Sequence, residues 1–481
     1  MEHHRKFYIG GKWIEPAGSQ TVQVIDPTTE AAFATVGMGN TKDADRAVTA
    51  ARKAFADFSA SSVAERIALL ERILAAYAAR QSDLADVIAR EMGSPKSAAV
   101  QTQGPIDHWK QAARVLRDYS FEHRIGESIV RREAIGVCGL ISPWNWPVQT
   151  PVTKIAYALA AGCTVVFKPS EYSPLSAIVL AEILDDAGVP EGVFNLVIGD
   201  GPQVGEALCR HPEVDMISFT GSTRAGILVA AAGASTVKRV SQELGGKSAN
   251  VVLRDADLEA AARWNIARGF FNAGQSCHAP SRILVHRSQM DQLASHLARE
   301  AARVKIGDPR DSETTMGPVV NRTQFERIQR YIQTGIDEGG RVICGGVGRP
   351  EGFERGYFVK PTVFSDVTQK MTIAREEIFG PVLAVLPYDD EEEAVTIANE
   401  TPYGLGGYVF SSDRERGLDV CRRLRAGRIF FNGAAGSVAA PMGGYKQSGN
   451  GREMGVFGLE EYLEVKAMFG FDREAAALPS I

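Results

Sequence analysis

From Gly136 to Gly246 the chain alternates short apolar runs with segments of helical composition. The runs are GVCGLIS (136–142), CTVVFKPS (163–170), VFNLVIGDG (193–201), DMISFTGS (215–222) and KRVSQELGG (238–246). Between them lie TKIAYALAAG, SAIVLAEILDDAG and QVGEALCRH. Such alternation predicts a parallel sheet with helices on both faces. A second series follows residue 280: SRILVH (281–286), VLAVLPY (382–388), GGYVFSS (406–412) and GRIFFN (427–432). It predicts a second α/β domain, with FFNAGQSC near its beginning. Upstream, Ser61 to Glu91 keeps helical spacing at Ile67, Leu70, Leu74 and Tyr77. Ser62 and Glu65 form a capping box there, and a break is expected near Gln81.

Length agrees with two or three domains, since 481 residues exceed what one compact core holds. A net charge of −5 and a pI near 6.0 argue against a nucleic-acid or acidic-membrane surface. The longest nearly apolar run, IAYALAAGCTVVF (155–167), is too short to span a bilayer. MEHHRKFYIGGKW at the start lacks the apolar core of a signal peptide, so a cytoplasmic location is expected. The six cysteines are too scattered for a zinc knuckle or a CxxC motif, and no metal site is expected. Cys138, Cys163 and Cys344 lie in apolar or Gly-rich runs and read as small buried hydrophobes. Cys277 does not, because Gln275, Ser276 and His278 surround it.

Open α/β sheets place ligands beyond the carboxyl ends of their strands, so the residues ending each run carry the chemistry. ISPWNWP holds Asn145 in a rigid turn, where an amide can meet an oxyanion or simply pack. FKPSE sets Lys168 and Glu171 before a helix, suited to a phosphate and a ribose diol or to a plain surface pair. GDGPQVG is one residue longer than the usual dinucleotide fingerprint. GGKS lacks a P-loop's first glycine, which is Ser241 here, so an ATPase is rejected. FTGSTRAG offers Ser222 and backbone amides to a pyrophosphate. ELGGKS supplies Glu243, EEIFGPV supplies Glu377 and Phe379, and GGYKQSGNGRE is a Gly-rich basic turn.

In this order PWNWP, KPSE, FTGST, ELGGKS, GQSC, EEIFGP and GGYKQSGNGRE closely resemble the NAD(P)-dependent aldehyde dehydrogenase superfamily, over about Tyr8 to Lys466. The resemblance implies two doubly wound open-sheet α/β domains and a small β oligomerisation segment. An NAD-binding domain would comprise 1–115 and 135–245, a catalytic domain 246–447, and the oligomerisation segment 116–134 and 463–481. It also implies roles. Cys277 attacks an aldehyde, Asn145 and the Cys277 N–H hold the oxyanion, and Glu243 activates the water that hydrolyses a thioester. Lys154 and Glu453 serve a proton relay or order water. Lys168, Glu171, Gly201, Pro202, Gly221, Ser222, Leu244, Glu377 and Phe379 bind the cofactor. NAD is favoured by the Glu171 carboxylate, with NADP possible. The implied pocket is Trp146, Gln149, Thr150, Thr153, Phe271, Ser276 and His278. With no Arg among these, a semialdehyde acid is disfavoured and a medium-sized aliphatic or aromatic aldehyde expected. A homodimer or homotetramer is expected, with no nucleic-acid or membrane partner.

Two other enzymes compete. A CoA-acylating aldehyde dehydrogenase would not need Glu243. A cysteine hydrolase would pair Cys277 with His278, but adjacent side chains diverge in a strand or a helix. A non-catalytic relative of the family is disfavoured by the joint presence of Cys277, Asn145 and Glu243.

Overall fold

The computed structural model describes residues 3–98 and 100–471. Its first sheet holds five parallel strands in the order Arg239–Glu243, Met216–Thr220, Val137–Ile141, Thr164–Lys168 and Phe194–Leu196. Antiparallel strands extend both edges. Gly449–Asn450 pairs with Arg239–Glu243, and Phe7–Ile9 followed by Lys12–Ile14 extends the other side. Val137–Ile141 and Thr164–Lys168 are buried along their whole length, which is why they read as continuous apolar runs rather than as alternation.

Chain direction reverses within this sheet. From Val137–Ile141 it moves outward through two strands, then returns to the opposite flank for Met216–Thr220 and Arg239–Glu243. Right-handed crossovers therefore put the two groups of connecting helices on opposite faces. Gln149–Ala161 and Pro174–Asp186 pack with Val63–Ala79, while Thr41–Ser59 and Thr223–Gly233 gather around Glu206–Arg210. The expected capping box forms: Glu65 N donates to Ser62 Oγ at 3.2 Å and Ser62 N to Glu65 Oε2 at 2.8 Å. That helix ends at Ala79 and a new one spans Gln81–Met92, matching the expected break.

The second sheet runs Arg341–Cys344, Thr362–Ser365, Val382–Tyr388, Arg282–His286, Ala249–Val252, Gly406–Phe410 and Arg428–Phe431. Only its first pair is antiparallel. Each sheet has its own hydrophobic core, one around Phe167, Phe194 and Tyr157, the other around Leu284, Phe364 and Val385. Both sheets are thus parallel-rich and doubly wound, as expected. The apolar pattern does not reveal Ala249–Val252, the centre of the second sheet. This buried strand has four residues and follows ELGGKS without a helix between.

A separate three-stranded antiparallel sheet joins Glu122–Ile125, Ser128–Ala134 and Leu463–Met468. Of the expected oligomerisation segment, residues 472–481 lie outside those described. Among the described residues, no helix is long and apolar enough to cross a membrane.

Candidate active site

Four parallel strands of the first sheet end at the same side. Asn145 follows Val137–Ile141, Lys168 closes Thr164–Lys168, Gly221 follows Met216–Thr220, and Glu243 closes Arg239–Glu243. The reversal of strand order opens a crevice at these ends. A cavity of about 370 Å³ there is lined by Asn145, Trp146, Gln149, Glu243, Cys277 and His278, among others.

The loop that carries Cys277 is held in an uncommon backbone conformation. Asn272, Ala273 and Gly274 have φ of 53°, 54° and 70° in succession. Left-handed conformation in two non-glycine residues is strained and needs support from its surroundings. That support is polar. Asn272 Nδ2 donates to the Asn145 carbonyl at 3.0 Å, and Gln275 Oε1 accepts from Val320 N at 2.9 Å. Asn145 Nδ2 donates to the Gln275 carbonyl at 3.1 Å. The Asn145 turn and the cysteine loop, far apart in sequence, therefore position each other. Gly274 is required, since a Cβ there would lie 2.1 Å from the Gly380 carbonyl oxygen.

Burial pushes the Cys277 thiol well up, and the carboxylates of Glu377 and Glu243 push it further. Its proton must therefore be taken by a base. His278 Nδ1 lies 3.8 Å from Cys277 Sγ, closer than the divergence of neighbours in regular structure allows, because residues 277 and 278 form a turn. Yet His278 is no base. Arg268 Nη2 sits 3.3 Å from His278 Nε2. A guanidinium only donates, so Nε2 accepts and Nδ1 carries the hydrogen that faces the sulfur. Burial, Arg268 and Arg428 lower the imidazole to about 3, leaving it neutral.

Glu243 is only 3% exposed, and both carboxylate oxygens lack a hydrogen-bond partner. Burial raises its proton affinity and the Glu453 carboxylate adds to this, while Lys154 opposes it. Behind it, Lys154 Nζ donates to Ser218 Oγ at 2.8 Å and pairs with Glu453 Oε1. Glu453 is fixed by two backbone hydrogen bonds with Met442, of 2.7 and 2.8 Å. A carboxylate so placed, raised in pKa and free of partners, has the properties of a general base.

Gly221, Ser222, Leu244, Glu377 and Phe379 also line the cavity. Ser222 caps the helix Thr223–Gly233, its Oγ accepting from Ala225 N at 3.3 Å. Glu377 Oε1 accepts from Gly246 N at 3.0 Å, and Phe379 meets Trp144 edge-on at 5.4 Å. Lys168, Glu171, Gly201 and Pro202 stand outside the lining, toward the neighbouring strand end. Lys168 Nζ is 3.8 Å from Glu171 Oε2, and a Cβ added at Gly205 would lie 3.8 Å from the Lys168 stem. A dinucleotide fits this stretch. A Cβ at Gly201 would meet nothing within 4 Å, and Thr220 Oγ1, in the lining, is buried without a partner.

Thr150 and Thr153 line the cavity as expected. Phe271 and Ser276 do not. Phe271 stands behind Trp146, stacked on it at 5.8 Å, and Ser276 turns toward a separate small cavity by Gly380. Lys154 also stands one layer back, reaching the site through Glu453. The sequence reading of the pocket omits His108, Arg268 and Arg428, all of which line it. The seven residues expected to form the pocket include no arginine, whereas the cavity lining includes Arg268 and Arg428. Helical and strand periodicity mark Arg268 and Arg428 only as members of their elements, and the facing cavity is formed by other segments.

Residues 13–468 match the model of a family described as the aldehyde dehydrogenase family. A 3-succinoylsemialdehyde-pyridine dehydrogenase from a Pseudomonas species is 52% identical, over 98% of this chain and 100% of its own. The crystal structure of a mutant aldehyde dehydrogenase C from Pseudomonas syringae, complexed with NAD+ and octanal, is 48% identical. It superposes with a TM-score of 0.97 and covers 98% of both chains. An aldehyde dehydrogenase from Mycobacterium tuberculosis complexed with NAD+ is 40% identical, with a TM-score of 0.94 over 97% of this chain and 98% of that one.

Proposed function

The chain belongs to the aldehyde dehydrogenase family, and from that premise we propose how its own residues perform the NAD-dependent oxidation of an aldehyde to a carboxylic acid. The observation that carries the proposal is the convergence of three groups on one cavity. These are the Cys277 thiol, an Asn145 amide tied to the cysteine loop, and a partnerless Glu243 carboxylate.

Glu243 first takes the Cys277 proton, helped by its own raised proton affinity. Sulfur then bonds to the aldehyde carbon and the carbonyl oxygen becomes an oxyanion. The second N–H of the Asn145 amide and the Cys277 backbone N–H hold that charge, each worth about 3–4 kcal/mol. NAD, when bound, supplies the acceptor for the hydride that leaves the substrate carbon. Lys168 and Glu171 would hold its adenosine ribose, Gly201, Pro202, Gly221, Ser222 and Leu244 its adenine and pyrophosphate region, and Glu377 and Phe379 its nicotinamide end. The thioester that remains on Cys277 is attacked by a water whose proton goes to Glu243 once that carboxylate is again free. The carbon–sulfur bond breaks, the acid leaves and the thiolate is restored. Lys154 and Glu453 hold the charge balance behind Glu243.

The hydrolytic route is favoured over acyl transfer to CoA because Glu243 has no other partner. A cysteine hydrolase is disfavoured by the His278 tautomer. We further propose that the two cores are an NAD-binding domain (1–115 and 135–245) and a catalytic domain (246–447). The protein is read as a cytoplasmic homodimer or homotetramer associating through 116–134 and 463–481, where Ile125, Val465 and Phe469 expose apolar surface. The test is NADH formation from an aldehyde panel without CoA. Wild type should respond and Cys277→Ala should not. No turnover of any aldehyde, or a strict CoA requirement, would overturn the reading.

A further inference from the structure

Three cavity residues take no part in that chemistry. His108, on the helix Val100–Asp118, is fully buried, and neither of its ring nitrogens has a hydrogen-bond partner. Burial and the nearby Arg428 hold it near pKa 4, so it is neutral and keeps one N–H to donate. Arg268 touches only the His278 ring with its guanidinium and lies 6.0 Å over the Phe271 ring. Arg428 reaches the Ser437 carbonyl at 3.5 Å and lies 5.2 Å over the Phe430 ring. Neither arginine forms an ion pair with a described carboxylate.

Other arginines also lack an ion pair, Arg282 and Arg327 among them, but those donate to backbone carbonyls at 2.7 to 3.0 Å, whereas Arg268 meets only a histidine ring nitrogen and Arg428 reaches a carbonyl only at 3.5 Å. Arg428 is half-buried, and burial together with the charge of Arg268 lowers its pKa. Arg268 is exposed and Arg428 half-buried, and both border the cavity beside the buried, unsatisfied His108 imidazole, so a bound carboxylate would meet donors that have no acid partner of their own. Flat guanidinium groups held over aromatic rings present their N–H forks in the geometry that a carboxylate accepts.

We propose that the substrate is an aldehyde acid whose carboxylate binds Arg268 and Arg428, with His108 as a further donor, while its aldehyde end meets Cys277. This rests on the aldehyde-oxidising reading above and names the substrate class within it. Apolar side chains of Trp146 and Phe430 flank the connecting chain. The disfavour toward a semialdehyde acid, which rested on a pocket without arginine, is thereby reversed.

The experiment compares kcat/KM for a series of ω-oxo acids, their methyl esters and plain aldehydes of equal length, using the full chain and NAD. The acid should exceed its ester about 10- to 100-fold, the range of one or two charge-assisted hydrogen bonds. Arg268→Gln and Arg428→Gln should each cut that acid-to-ester ratio about tenfold, while Arg428→Lys retains part of it. Added salt should lower the ratio as well. A ratio is read only from folded, active molecules, so partial misfolding does not disturb it. Equal use of acid and ester, or a ratio unmoved in both Gln variants, overturns the inference while oxidation of plain aldehydes leaves the activity standing. No NADH from any aldehyde would instead overturn the activity itself.

Discussion

Replacing Lys154 with methionine removes the cation behind the candidate base. Lys154 is 1% exposed and its Nζ is shared between Ser218 and Glu453. Without it, Glu453 remains buried beside Glu243, and Arg452 is left as the cation that opposes the rise in the Glu243 pKa. Removing one partner of a buried ion pair costs about 3–5 kcal/mol. With roughly 2–4 °C per kcal/mol for domains of this size, the melting temperature should fall by roughly 6–20 °C. The loss must depend on pH. Glu243 has a folded pKa raised above its unfolded value of about 4.3. Its contribution is therefore fully present below that value and is lost as pH rises through the folded pKa. Lys154 opposes that rise, so its removal moves the loss and the ionisation of the base to higher pH. Thermal melts at pH 5, 7 and 9 and a kcat–pH profile check both effects. A deficit of equal size at all three pH values, with an unshifted profile, would refute the assigned coupling.

Asn145→Ala should lower kcat about 100- to 1,000-fold, the loss of one oxyanion donor. Because the amide also ties the cysteine loop, a melt and a thiol-labelling rate must accompany the kinetics. Glu243→Gln should slow steady-state turnover about 100- to 10,000-fold. Because Glu243 also takes the Cys277 proton, the stopped-flow burst of NADH should return when a stronger base is added to the buffer while turnover stays slow, and recovery of burst and turnover in equal measure would contradict a hydrolytic role. Glu171→Gln should raise the NADP-to-NAD ratio of kcat/KM about fivefold, the equivalent of about 1 kcal/mol for removing one like charge. An unchanged ratio would show that the carboxylate does not face the ribose.

Burial and sheet topology decide which parts of such a site can be read in advance from the pattern of apolar positions. Strand ends were legible where burial makes the strands nearly continuous apolar runs, as in Val137–Ile141 and Thr164–Lys168, so Asn145 and Lys168 mark the carboxyl edge, whereas the strand RVSQE is polar through its second half and Glu243 stands out only through the ELGGKS motif. Ala249–Val252 was not legible, being short and joined directly to the preceding motif. His278 exposes a different limit. Periodic geometry separates neighbouring side chains, yet residue 277 begins a turn, and the ring comes within 3.8 Å of the sulfur. What decides its role is a third residue, Arg268, ten positions upstream on the helix Leu258–Gly269, whose guanidinium fixes the hydrogen on Nδ1. Arg268 carries no sequence signal of its own. Its meaning arises only when that helix, the strand bearing Arg428 and the helix bearing His108 border one cavity. The candidate oxyanion donor and base thus lie at topologically determined strand ends, whereas Cys277 sits in a loop ahead of the strand Arg282–His286, and Arg268, Arg428 and His108 come from other segments that border the same cavity.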